Sequence, residues 1–181
     1  MMRTLRVGVA VGIAAGVVMA VWSMVVMWIT GSGFWTPLNL VAHTFYRSAP
    51  LNATFSAPAM VIGLAVHMTV ASIFGIAFTA LAQRLPAKRS LVIAGGILFA
   101  AVVWPVMQYG VWHSLDATAA DGFTGWIFAF GHLVFGLVAA GMAAVAVGDD
   151  ETATRTRHAG GRTPPPPDLA RSSLFQPDRR R

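Results

Sequence analysis

The sequence predicts an all-α integral membrane protein. Its architecture is a four-transmembrane-helix bundle with a short interfacial helix and a disordered C-terminal tail, and three observations carry that prediction. Of the 181 residues, 56% are apolar and 11% charged, a balance outside the range of ordinary soluble domains. Four stretches, about residues 7–29, 58–83, 91–112 and 123–147, each supply the roughly 20 apolar residues that cross a hydrocarbon core about 30 Å thick. None of the four contains Lys, Arg, Asp or Glu. Residues 1–148 thus form the transmembrane domain and 149–181 a tail.

The first span begins after Arg3 and Arg6, with Ala20 placed as a cleavage residue of a signal peptide would be. Its apolar run continues through Ile29, beyond the 7–15 residues of a signal h-region, so a retained helix is expected. Gly8, Gly12 and Gly16, four apart, form a flat ridge that lets another backbone approach closely. That ridge serves either packing within the bundle or a homo-oligomer.

After Gly31-Ser32-Gly33, Phe34 and Trp35 form an interfacial aromatic pair. Thr36 is placed as an N-cap and Pro37 as the first helical residue of a short helix, about 37–47. Leu38, Val41 and Phe45 make one face apolar, while Asn39, His43 and Arg47 make the other polar, as in a helix lying on the outer membrane surface. Residues 48–57 read as loop. The Asn52-Ala53-Thr54 glycosylation pattern within them is short enough to arise by chance.

A connection of a few residues, Arg84 to Ser90, makes the second and third spans antiparallel neighbours. Pro105 removes one backbone hydrogen bond and should kink the third span towards its outer end. Residues 113–122 read as a mildly acidic outer connection carrying Asp116 and Asp121. From Gly148 the composition turns to Asp149-Asp150-Glu151, then Thr, Arg and Gly, then the run Pro164 to Pro167, too polar and proline-rich to bury a core.

Charge gives orientation, because short cytoplasmic loops hold Lys and Arg. A cytoplasmic N-terminus places Arg3, Arg6, Arg84, Lys88, Arg89 and the tail arginines inside, leaving only Arg47 outside, with both termini cytoplasmic. The net charge of +6 therefore reads as topology and as attraction of the basic flanks to anionic lipid headgroups of the bilayer. No nucleic-acid motif accompanies it, so nucleic acid is not an expected partner. Cysteine is absent, which excludes disulfides, thiolate metal sites and Cys nucleophiles.

His67 and His132 are the only histidines inside the four spans, and each lies about nine residues, or roughly 14 Å, from the outer end of its helix. Gly63, Ala71 and Gly75 share the face of His67, and Gly136 and Ala140 that of His132. Small residues mark the packed side of a membrane helix, so both rings should point inward. His43 and His113 belong to the same half of the bundle.

Such a group can serve chemistry in three ways. Two imidazoles can axially ligate a haem b. Three or four can bind Zn or Cu through nitrogen, with Met60, Met68 or Met107 available to Cu(I). Imidazoles can also relay protons. The plain alternative is that each ring hydrogen-bonds a carbonyl, or a hydroxyl such as Ser72 or Thr69, across the bundle. A P-loop, a G-x-G-x-x-G turn, a G-x-S-x-G elbow and an H-E-x-x-H pair are all missing, and the spans offer no carboxylate base, so an enzyme is not expected.

From about residue 59 to 140 the chain resembles the YagU family of small bacterial inner-membrane proteins. The resemblance rests on His67, Ser72 and Phe74, the turn Leu85-Pro86, Pro105 with Met107, and the block Phe130-Gly131-His132-Leu133-Val134-Phe135. It implies a multi-helix protein of the bacterial inner membrane with no established activity, in which His67 and His132 fall on the family pattern. The functional expectation is therefore a histidine-lined metal, haem or proton site at His67 and His132, with His43 and His113 as further metal ligands. The alternative is a non-catalytic packing or interaction subunit of a membrane complex.

Overall fold

The computed structural model describes the backbone of residues 2–86 and 88–160 and side chains up to residue 145. Among the described residues all regular structure is helical: α1 (Met2–Ile29), α2 (Thr36–His43), α3 (Ala57–Ala82), α4 (Arg89–Pro105), a π-helical segment (Val106–Trp112), α5 (His113–Gly122) and α6 (Gly125–Gly160). Four stretches are long and apolar enough to cross a membrane: α1, α3, the continuous run Arg89–Gly122, and Gly125–Val145 of α6. Each exposes large apolar side chains, among them Val21, Ile73, Leu98 and Leu137.

The chain divides into two units at 147/148, and the first, residues 1–147, is compact. In the second, the helical backbone of α6 runs on to Gly160, past the boundary expected at 148. Residues 161–181, the rest of the expected disordered tail, lie outside the described residues.

The glycine ridge of α1 is used within the chain. A side chain on Gly8 would strike the backbone of Ile76, one on Gly12 the carbonyl of Ala71, and α3 answers with Gly75 set against Gly12. Those glycines therefore face α3. A similar contact joins α4 to α6, where Gly96 meets Gly136 and Ala140. Gly31 and Gly33 both adopt positive φ (89° and 100°), which turns the chain sharply out of α1.

Two expectations are corrected, the first and third below, and the disturbance expected at Pro105 is made more specific. First, α2 is no surface helix. It ends at His43, Trp35 rather than Thr36 precedes its first turn without a side-chain cap, and Leu38, Asn39, Leu40 and Ala42 are buried. Its polar stripe is turned into the protein: Asn39 Nδ2 donates to the carbonyls of Asn52 and Thr54, both at 2.8 Å. Second, Pro105 produces a change of helical register. Lacking an N–H and crowding the preceding turn, it ends α4, and the next seven residues continue as π-helix. Third, residues 113–122 are helix rather than loop. Asp116 interrupts that helix with extended backbone (φ −158°, ψ 83°), and its Oδ1 accepts from the Ala119 N–H at 3.2 Å, as an N-cap residue does.

Candidate functional site

His67 on α3 and His132 on α6 border one cavity of about 150 Å3, walled also by α1, α2 and the π segment. His132 is buried at 5% exposure, with its ring edge-on to Phe128 at 4.5 Å between centroids. His67 Nε2 donates to the carbonyl of Gly16, 2.9 Å away on α1. The α1 ridge makes that bond: with no side chain at Gly16, the α1 backbone comes within reach of the ring. His132 Nδ1 donates to the Phe128 carbonyl one turn earlier, also at 2.9 Å.

A carbonyl oxygen can only accept, so the bonded nitrogen carries the proton. Neutral His67 is then protonated at Nε2 and keeps its lone pair on Nδ1, whereas neutral His132 is protonated at Nδ1 and keeps its lone pair on Nε2. Neither of these two nitrogens has a hydrogen-bond partner among the described residues. One nitrogen of each ring does the structural work of bonding a carbonyl, and the other is left unspent. Orientation by a backbone carbonyl is also how proteins aim imidazoles that ligate metals.

The remaining wall is apolar apart from a few groups. Thr44 is engaged, its Oγ1 accepting from Trp112 Nε1 at 2.9 Å. Two thioethers border the space, Met19 of α1 and Met107 of the π segment. Of the methionines the sequence singled out, Met60 and Met68 do not border it, and Met19 was missed because nothing polar marks the first span. A side cavity of about 30 Å3, lined by His67, Met19 and Ser23, has room for a water molecule. At about 150 Å3 the main cavity is well below the ~300–1,000 Å3 of pockets that hold cofactors. A haem does not fit it; an ion, a little water or a small apolar molecule does.

His43 and His113 are not brought to this cavity. His43 Nδ1 lies 2.6 Å from Asp116 Oδ2, which also receives Arg47 Nη1 at 2.8 Å. Arg47 Nη2 donates to the Leu115 carbonyl at 3.0 Å. The Asp116 side chain is only 2% exposed, so this cluster clamps the end of α2 onto α5. His113 Nε2 is 3.5 Å from Asp121 on an exposed surface. Among the described residues, no three His, Asp or Glu side chains are placed to hold a metal. The Asp116 clamp escaped sequence reasoning, although a lone Arg47 and an acidic residue expected on the same side of the membrane was a usable signal.

Comparison with protein-family models, with curated proteins and with solved structures finds no match to this chain.

Proposed function

We propose that this chain is a multi-pass protein of the bacterial inner membrane, with both termini cytoplasmic, whose bundle holds a small Lewis-acidic ligand between His67 and His132. Four helices of membrane-crossing length with apolar outer faces support the location, since water tolerates such surfaces poorly. One observation carries the site: two imidazoles on different helices border the same apolar cavity, each fixed by a backbone carbonyl and each with its second nitrogen unspent. Polar groups inside a membrane bundle are costly, and an unsatisfied imidazole nitrogen is retained where it has a ligand to meet. The ligand is a metal ion or a proton. The protein holds or passes it without covalent chemistry, as no carboxylate borders the cavity.

The test is purification in detergent after growth with added metals, followed by elemental analysis of the wild type, His67→Ala and His132→Ala. About one transition-metal ion per chain, lost in both variants, is the expected result. A metal-free wild type that also shows no pH-dependent change in histidine signals by NMR removes the site and leaves the packing-subunit reading, in which the basic flanks contact lipid or a partner.

A further inference from the structure

Resting on that histidine site, we infer that its ligand is monovalent copper, Cu(I), held by His67 and His132 together with the thioethers of Met19 and Met107. The four donors come from four separate elements, α1, α3, the π segment and α6, and border one space. No single helix periodicity places them together.

Donor chemistry selects the ion. The nitrogen and sulfur donors around the cavity are two imidazole nitrogens and two thioether sulfurs; the Thr44 hydroxyl accepts from Trp112 Nε1 and has one lone pair left, on a neutral, hard oxygen. Thioethers are soft ligands that favour Cu(I), and imidazole suits copper as well. Zinc sites are closed by three or four ligands that usually include thiolates or carboxylates, and no such anion borders this cavity. Charge points the same way. The cost of moving an ion into a low-dielectric interior scales with the square of its charge, so a divalent ion pays about four times the penalty of a monovalent one, with no anion here to offset it.

The walls supply the remaining requirements. The Gly16 and Phe128 carbonyls fix the imidazole tautomers that leave one coordinating nitrogen on each ring. Methionine, with three rotatable bonds, closes onto an ion without moving the helices. The cavity has room for an ion, and its almost wholly apolar lining favours an ion of low charge held by soft donors.

The experiment uses the full chain in detergent, kept reduced and free of oxygen. Cu(I) is titrated against the chromophoric chelator bicinchoninate, Zn(II) is titrated in parallel, and X-ray absorption is recorded on the copper-loaded wild type. Expected are one Cu(I) per chain, mixed nitrogen and sulfur scatterers, weak Zn(II) binding, and affinity losses of about tenfold or more in Met19→Leu and Met107→Leu. Leucine preserves packing, and the absorption spectrum of the wild type needs no variant to fold. Zn(II) binding without Cu(I), or Cu(I) bound with no sulfur scatterer, overturns the copper inference while the histidine site stands. Failure to bind either ion overturns the copper inference too, and the histidine NMR titration then decides separately whether the site itself survives.

Discussion

Gly12 shows how a single missing side chain shapes this bundle. A methyl group there would run into the carbonyl of Ala71 and the Cα of Ser72, backbone atoms that cannot swing aside as a side-chain tip can. Gly12→Val should therefore push α1 from α3 and cost about 1–3 kcal/mol, read as a lower Tm in detergent. Gly141→Ala is the control: a new methyl there meets nothing within 4 Å, and the helical backbone gains up to about 1 kcal/mol from losing glycine. Equal Tm shifts in the two variants would refute the close-packed ridge. The same contact explains how much of the site could be read in advance. The shared depth of His67 and His132 and the small residues on their faces were legible, because helical geometry turns sequence distance directly into depth and direction. The hydrogen bond that fixes the His67 tautomer was not, since its acceptor is a backbone carbonyl 51 residues away on another helix. His43 was misjudged for a related reason: depth places a residue in one half of the bundle, but a partner 73 residues distant decides where its ring turns.

At the scale of elements, the pieces longest in sequence were the clearest. Twenty apolar residues in a row have one low-cost conformation in hydrocarbon, so the spans could be read directly, and α3 lies within a residue of its expected limits. The shorter elements depend on tertiary partners. Proline announced a disturbance in the third span but not the π register that follows it, and α5, with Asp116 inside it and Asp121-Gly122 closing it, carries too weak a local signal to outweigh a loop. Asp116 is the partner that settles α2, and its two roles can be separated. Asn is as good an N-cap as Asp, so Asp116→Asn keeps the bond to Ala119 and loses the ion pair. With the Arg47 side chain 59% exposed, that pair is worth about 0.2–1 kcal/mol. Asp116→Ala loses the cap as well, about 1 kcal/mol more. Hydrogen exchange should rise across α2 in the order wild type, Asn, Ala, with α1 unchanged. An Ala variant no more mobile than Asn would show that the cap contributes nothing. A companion prediction concerns the other anchor of α2. Asn39→Ala removes the two hydrogen bonds that the buried Asn39 amide gives to the carbonyls of Asn52 and Thr54, costs about 1–3 kcal/mol at roughly 0.5–1.5 kcal/mol per bond, and should open residues 48–56 to protease.

For the molecule as a whole, the arrangement of charge about the bundle predicts its orientation. Gln83 Nε2 donates to Thr4 Oγ1 at 3.1 Å, so the start of α1 meets the end of α3 at one end of the bundle. Arg3, Arg6, Arg84, Lys88 and Arg89 all flank helix ends there, whereas the opposite end carries a single arginine, Arg47. Lys and Arg in short loops resist export, so the five-to-one imbalance predicts that the Arg47 end crosses the membrane. The clamp sharpens the expectation, because Arg47 is held at 2.8 Å by Asp116 and its charge is met within the protein once it has crossed. Alkaline phosphatase, active only after export, should thus be active when fused after Asn52 or Thr118, and inactive when fused after Lys88 or Arg181. Green fluorescent protein, bright only in the cytoplasm, should give the reverse pattern. The inverted result would show that the basic cluster does not set the topology. Active phosphatase after both Asn52 and Lys88 would mean that α3 fails to cross, and the histidine cavity would then lack one of its walls.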